Sequence, residues 1–492
     1  MLPGMARPKR FSCLPLFDFA ADFAAVTAAY ATTYLARFES VWGERLFIAI
    51  NRFLGVRETG FLGESLAAFY QGSALRLVLL LMATLFPLYA LRDLYAGARF
   101  LRRRPVAWNV LVANLQALAI FYAYFYLRRN VFHPRGFFVT VLVLNVFYTV
   151  AFRAAMARLL QWLRRRGFDR RPAVLAGAGA EADTIVEWIR LTQPHGIELA
   201  ARVGALAGKD FETRLQELEA TARAHNAALI IAADRGLEVA QIMRLLEMAD
   251  RLEADAKVLS DKLDVLADEA RLPVDRFHGL PLLHFNAPAL SRRSLWLRRA
   301  LYRAASAAAL AAALPLLALL AALVRLTSPG PALFIQERIG VNRRPFRMYK
   351  FRTMYDGAEE ALAQVEEFNE SGRALFKMRR DPRVTPVGRF LRRFSLDEFP
   401  QLLNVVRGEM TLVGPRPLPR RDFEHYYEDW HYSRHSGMPG LTCLWQVSGR
   451  SDIDFHNMCI LDVYYLRNQS WVLDLKILLR TVWVVLFAKG AY

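Results

Sequence analysis

Four long apolar stretches stand in the first third of the chain, at about 16–37, 73–91, 106–127 and 137–157. Each is close to the ~20 residues that carry a helix across a hydrocarbon core of ~30 Å. The pattern therefore predicts a four-helix transmembrane bundle over residues 1–160. No small-residue cleavage site follows the first stretch and three more spans do, so it reads as a span and not as a signal peptide. Asp18 and Asp22 sit near one of its ends, where acids are expected at the interface or against a neighbouring helix.

The period then changes. "RRPAVLAGAGAEADTIVEWIRL" opens on an apolar strand (Ala173–Ala176), passes through a glycine turn and continues as an amphipathic helix. Gly177, Gly179 and Ala182 fit G-x-G-x-x-G/A in the strand–turn–helix setting of a dinucleotide fingerprint. "AALIIAAD" reads as a second parallel strand and "AKVLSDKLDVLAD" as the source of another. An α/β Rossmann-like domain is thus expected over 168–290. No clear acidic residue closes a second strand where a ribose hydroxyl would need it, which favours a structural or regulatory module over nucleotide binding.

Apolar character returns between Arg303 and Arg325, with Pro315 near the centre. Length alone fits a fifth span. Arg292, Arg293, Arg298, Arg299 and Arg303 precede it, however, while Arg325, Arg338, Arg343 and Arg344 follow, and positive flanks belong on the cytoplasmic side. A central proline removes one backbone bond and bends a helix, leaving a carbonyl that the Ser306 hydroxyl or interfacial water would have to satisfy. The expectation is a re-entrant helix at about 300–326 that enters and leaves on one face. After it, "ALFIQERIGVNRRPFRMYKFRTM" alternates about Gly340-Val341-Asn342 as a β-hairpin does, with Lys350 and Arg352 on one face of the second strand.

Composition sharpens this picture. The net charge is +19, from 65 lysines and arginines against 46 acids, and 54% of residues are hydrophobic. So basic a chain suits nucleic acid or an anionic membrane surface with anionic ligands. The apolar runs select the membrane, and no nucleic-acid partner is expected. The amino-terminal tail, the loop carrying Arg99, Arg102, Arg103 and Arg104, and the segment with Arg164, Arg165, Arg166, Arg170 and Arg171 fall on one side if all four stretches cross. The positive-inside rule makes that side cytoplasmic, although Arg128, Arg129 and Arg135 run against it. Cys13, Cys443 and Cys459 form no CxxC pair, which argues against zinc and requires no oxidising compartment.

The candidate chemistry lies in "FSLDEFPQLLNVVRGEMTLVGPRP", around the adjacent acids Asp397 and Glu398. Ser395 and Glu398 match a capping box. Pro400 speaks against it, because proline prefers the first helical position. A helix starting at Pro400 places both acids in the preceding turn, against the positive end of its dipole, a setting that favours ionised carboxylates and phosphate. Paired acids suit Mg²⁺, which takes one or two carboxylates plus phosphate oxygens. Phosphate suits arginine and lysine, here Lys350, Arg352, Arg416 in the stiff Gly414-Pro415-Arg416-Pro417 turn, and Arg450 in "WQVSGR". The acids accordingly read as a nucleophile and a metal ligand within a phosphate site.

Competing patterns are weaker. Asp452-Ile453-Asp454 is a D-x-D of the kind metal-dependent glycosyltransferases carry, without the nucleotide-binding core that should surround it. A nucleotide-sugar dehydratase would need Tyr-x-x-x-Lys, and no such spacing occurs. A polysaccharide export scaffold would show long coiled-coil periodicity. His431 and His435 are four apart but lack the glutamate of H-E-x-x-H, so a surface or core role is expected.

Residues from about 295 to 492 resemble the bacterial polyprenyl-phosphate hexose-1-phosphate transferases, the monotopic phosphoglycosyl transferases. The resemblance rests on the proline-broken basic helix, "YKFRTM", "SLDEFPQLLNVVRGEM", "LVGPRP", "PGLTCLWQVSGR" and "LDVYYLRNQSWVLDLKILLRTVWVVL". The four spans and α/β unit look like the large members, most of all those that transfer galactose-1-phosphate. This implies transfer of hexose-1-phosphate from a UDP-hexose to undecaprenyl phosphate through a covalent intermediate on Asp397, with release of UMP. Galactose is the expected sugar and glucose the alternative, at the start of O-antigen, capsule or exopolysaccharide synthesis. It also implies Mg²⁺ held by Glu398 and Asp397, substrate contacts from Lys350, Arg352, Pro415, Arg416, Gln446 and Arg450, and a helix break at Pro315. A mixed, helix-rich catalytic domain over 295–492 on the cytoplasmic side of a multi-pass protein of the bacterial inner membrane is expected, touching membrane lipids and forming a homodimer. The stretch Leu473 to Phe487 would rest at the interface. Three positions depart from the usual motifs: Leu314 stands where serine often precedes the proline, Met438 where a basic residue precedes Pro-Gly, and Cys443 where glycine is usual.

Overall fold

A computed structural model describes residues 14–53, 63–92, 94–95, 106–128, 135–168, 170–191, 196–208, 210–261, 274–277, 280–286, 292–358, 360–361, 378, 381–448 and 453–486. The chain divides into two compact units, residues 1–170 with 190–197, and residues 171–189 with 198–492.

The first unit is helical, with Leu14–Phe38, Val41–Phe53, Gly63–Gly72, Ala74–Leu91, Val106–Arg128 and Arg135–Arg165. Among the described residues four helices are long and apolar enough to cross a membrane: Ala74–Leu91, Val106–Tyr124, Gly136–Arg165 and, in the second unit, Ser294–Thr327. The chain is a membrane protein. The first expected span, Leu14–Phe38, has 25 residues but is not among the four, because acids, threonines and tyrosines dilute it. Its acids face inward. Asp22 is fully buried and accepts from Arg153 Nε at 2.7 Å and from the Tyr95 hydroxyl at 2.7 Å, while Arg153 Nη1 donates to the Leu94 carbonyl. Tyr89, Asn114 and Asn145 form a second buried hydrogen-bonded group. Polar groups in hydrocarbon must be satisfied within the protein, and these two clusters do so.

In the second unit six strands form a mixed sheet ordered β2-β1-β3-β4-β6-β5. They are β1 (Arg171–Ala176), β2 (Ile197–Val203), β3 (Leu229–Ala233), β4 (Asp255–Leu259), β5 (Val274–Phe277) and β6 (Leu280–Phe285). β1, β3 and β4 run parallel, and β6 is antiparallel to β4. β3 is buried at every position, as a strand covered on both faces must be. Gly177 after β1 is at φ 152, and a Cβ there would meet the Ala233 carbonyl oxygen at 2.5 Å, so glycine lets β1 and β3 turn out side by side. β2 ends without an acid, and its Arg202 donates to the Gly177 carbonyl at 3.1 Å.

The sheet's core continues into the C-terminal third. Leu283 and Phe285 belong to the same apolar cluster as Trp430, Ile460 and Tyr464, with the Phe285 and Tyr464 rings 5.7 Å apart. Arg467 seals this junction with two bonds to Asp250, at 2.8 and 2.7 Å.

The segment with Pro315 is one helix of 36 residues, Arg292–Thr327. Its two arms touch the rest of the unit at different places. Tyr302 shares a core with Met348, Val405 and Met410, and Leu320 and Val324 share one with Phe351 and Leu391. Leu314, Leu316, Leu319 and Leu326 are exposed. The Ser306 hydroxyl does not serve the freed carbonyl: it is buried without a hydrogen-bond partner among the described residues. It lies more than one turn from the carbonyl one turn before Pro315. The hairpin follows as expected, β7 (Leu333–Ile339) paired antiparallel with β8 (Pro345–Phe351), its turn held by left-handed Asn342 and Arg343. Two short parallel strands, β9 (Thr411–Val413) and β10 (Gly440–Thr442), flank the next turn.

Candidate active site

Asp397 and Glu398 lie in a 3₁₀ segment, Leu396–Gln401, that runs straight into the helix Leu402–Arg407. Pro400 is inside the 3₁₀ segment, so the helix does not begin there as expected. The capping box is also absent: Ser395 is left-handed (φ 52) and its side chain makes no cap bond. The acids are therefore presented on a tight turn, with their carboxylates left to partners from other elements.

Those partners are cationic. Arg416 reaches Glu398 with both terminal nitrogens, Nη1 to Oε2 at 3.4 Å and Nη2 to Oε1. Burial and the Glu398 charge hold the Asp397 carboxyl above its ordinary range, against the pull of Lys350, Arg392 and Arg416. Burial, Arg338 and Arg416 in turn lower the Lys350 ammonium to about 7, with Glu398 and Asp397 opposing. Two acids and four cations thus share one desolvated neighbourhood, an environment that stabilises charge arriving on a phosphoryl group.

Local chain geometry explains the arrangement. Asn404, fully buried, accepts from the Tyr349 amide at 3.1 Å and donates to the Arg347 carbonyl at 2.6 Å. It joins the strand that carries Lys350 to the helix that follows the acids. Pro415 and Pro417 remove two amide donors from the arginine turn, whose carbonyls are bonded from outside. Pro415 oxygen accepts from the Gly440 amide at 2.8 Å and Pro417 oxygen from Arg338 Nη1 at 3.2 Å.

Of the residues expected here, the structure brings together Asp397, Glu398, Lys350, Arg416 and Pro415. Gln446 is engaged elsewhere, accepting from the Cys443 thiol at 3.0 Å. Arg450 lies outside the described residues, as does Asp452 of the D-x-D pattern, while Asp454 caps the helix Phe455–Arg467 through the Asn457 amide. Arg352, expected in the phosphate site, is bonded elsewhere. It sits just past the end of β8, is 6% exposed, and donates to the Ser328 carbonyl at 2.7 Å and to the Pro329 carbonyl. It fastens the exit of the long helix instead of joining the phosphate cluster. Sequence reading missed Arg338 and Arg392. Arg392 stands five positions before Asp397, indistinguishable there from Arg389 and Arg393, and donates to Thr353 at 2.9 Å.

Glu428, His431 and His456 bring ligand-type atoms within 4.8 Å of one another. The Glu428 amide donates to His431 Nδ1 at 2.8 Å, which places the proton of the neutral ring on Nε2, 3.1 Å from His456 Nδ1. That proton occupies the position a cation would need, so the group reads as a hydrogen-bonded chain. His435 is buried too, bonded to the Gly340 carbonyl and Tyr427.

The family described as bacterial sugar transferase matches residues 293–488. The exopolysaccharide production protein ExoY of Rhizobium meliloti is 42% identical over 182 residues, 36% of this chain and 80% of that protein. The undecaprenyl-phosphate galactose phosphotransferase of Salmonella typhimurium is 39% identical over 219 residues. That match spans 44% of this chain and about half (46%) of the relative. The UDP-glucose:undecaprenyl-phosphate glucose-1-phosphate transferase of Escherichia coli is 29% identical over 343 residues, 67% of this chain and 71% of the relative. The chain belongs to the bacterial sugar transferase family.

Proposed function

We propose that this protein transfers hexose-1-phosphate from a UDP-hexose to undecaprenyl phosphate at the cytoplasmic face of the bacterial inner membrane, opening polysaccharide synthesis. The observation that carries the reading is the adjacent Asp397 and Glu398, presented on one turn to Lys350, Arg392 and Arg416, in a chain whose relatives bear names of this chemistry. An Asp397 carboxylate oxygen attacks the β-phosphorus of the UDP-hexose, the bond to the bridging oxygen breaks, and UMP leaves with that electron pair. A phosphate oxygen of the lipid then attacks the same phosphorus and displaces the carboxylate. Splitting the transfer in this way replaces one difficult step by two easier ones.

Glu398 and Asp397 are adjacent hard oxygen donors, and the Glu398 charge disfavours that of Asp397, a donor set that fits Mg²⁺. When bound, the ion supplies neutralising charge to the diphosphate. Lys350 and Arg416 grip the phosphates, and Arg392 helps keep Asp397 ionised. Galactose is the sugar we favour, from the Salmonella relative. Glucose is the second reading, supported by the longer match to the E. coli protein.

The long helix is read as re-entrant. Tyr302 and Leu320, about 27 Å apart along a straight helix, join cores that contain Met348 and Phe351, which a strand separates by about 10 Å. A bend near Pro315 accounts for both contacts and leaves the exposed leucines to lipid. The six-stranded sheet is read as a Rossmann-like module.

The test uses full-length protein with Mg²⁺ and sugar-labelled UDP-galactose or UDP-glucose, without lipid. Wild type is expected to acquire label that undecaprenyl phosphate discharges, and Asp397→Asn to acquire none. Lipid-dependent UMP release with no labelled protein would replace the covalent route by direct transfer.

A further inference from the structure

Behind the arginine turn lies an ion pair that the chemistry above does not use. Arg434 and Asp462 are 2% and 0% exposed. Asp462 Oδ2 accepts from Arg434 Nε at 3.0 Å and from Nη2, and Asp462 Oδ1 has no hydrogen-bond partner among the described residues. Arg434 Nη2 also donates to the Arg416 carbonyl at 2.8 Å, inside the arginine turn, and Nη1 donates to the Tyr427 hydroxyl at 3.0 Å. We propose that the buried Arg434–Asp462 pair is a positioning device, which pins the Arg416 carbonyl and so aims the Arg416 guanidinium at Glu398.

Energetics favour positioning over stability. A buried ion pair recovers its desolvation cost only when its remaining lone pairs are satisfied, and apolar residues of similar volume often do as well or better. Here one carboxylate oxygen is unpartnered, and burial pushes the Asp462 carboxyl up to about 6 despite Arg434. What apolar residues could not supply is a donor to a carbonyl inside a turn that two prolines deprive of amides. The same helix holds the turn from its other end, through the Tyr465 hydroxyl, 3.0 Å from the Val413 carbonyl oxygen. Helix Phe455–Arg467 therefore sets both ends of the segment that carries Arg416, one directly and one through Arg434.

The inference rests on the phosphotransfer reading for its effect on rate, and two readouts separate the two. In full-length protein in lipid nanodiscs, Arg434→Met with Asp462→Leu is expected to raise amide hydrogen exchange over residues 411–418 at least about tenfold. It is also expected to slow UMP release about 10–100-fold. Adding Arg416→Met should cost no more than about threefold further, because groups that act as a unit are non-additive. Unchanged exchange over 411–418, or losses that multiply, would overturn the proposal. If the double variant does not fold, Arg434→Lys serves: it keeps a charge beside Asp462, loses the forked geometry, and is read in the same way. Should wild type turn over no UDP-hexose, the functional reading falls and the exchange result alone decides the positioning.

Discussion

Lys350 is the residue whose behaviour is most open to a pH experiment. Burial and the neighbouring Arg338 and Arg416 bring its ammonium down to about 7. Below that pH it carries the charge that grips phosphate; above it the charge is lost. The KM for the UDP-hexose is therefore expected to rise as pH increases through 7 to 9. In Lys350→Met it should be about tenfold higher at pH 6.5, the equivalent of one unit or ~1.4 kcal/mol, and flat across that range. A wild-type KM that does not move with pH would remove Lys350 from the phosphate grip. Asp397 sets the opposite limb, because its raised carboxyl must lose a proton before it attacks. These acids were legible as a pair, since their adjacency is a local fact, whereas the helix start expected at Pro400 was not observed. Which of Arg389, Arg392 and Arg393 faces Asp397 was not, because that choice depends on how helix Pro386–Arg393 packs by Gly388 against Thr353.

At the scale of elements, the long helix has two kinds of leucine. Leu320 is 4% exposed and packs with Phe351 and Leu391, whereas its neighbour Leu319 is 58% exposed. Leu320→Ala is expected to destabilise the protein by about 2–4 kcal/mol and Leu319→Ala by no more than about 0.5, as measured by thermal unfolding in nanodiscs. In a cysteine-free background, Trp296→Cys and Pro329→Cys should both react with an impermeant thiol reagent from the same side of the membrane. Reaction from opposite sides would make the helix a span. The flanking arginines and Pro315 pointed to this element from sequence. They did not reveal that Arg352, two residues beyond Lys350, fastens the exit of the helix, because Ser328 and Pro329 approach it only through the fold.

For the whole chain, the link between the six-stranded sheet and the C-terminal third is a continuous core sealed by Arg467 and Asp250. Arg467→Ala removes a two-bond, partly buried ion pair, at a cost of about 1–2 kcal/mol. A melting temperature lower by a few degrees, with turnover within about twofold of wild type, is the expected result. A melting temperature unchanged from wild type would mean that the apolar junction of Phe285 and Tyr464 holds by itself. The glycine turn and the parallel strands β1, β3 and β4 were readable, since each is coded by a local run of residues, whereas β2, β5 and β6 were not. Its fusion to the C-terminal core was not, for the contacts join residues about 200 positions apart.

Membrane character, the hairpin, the acid pair and the proline-stiffened arginine turn can be read along the chain, because all of them arise from neighbours in it. What each buried arginine does comes from the fold alone: Arg416 binds an acid, Arg352 a helix exit, Arg434 a carbonyl and Arg153 Asp22. Arginines are alike along the chain, and a guanidinium acquires its role from the acceptors that folding brings within hydrogen-bond distance.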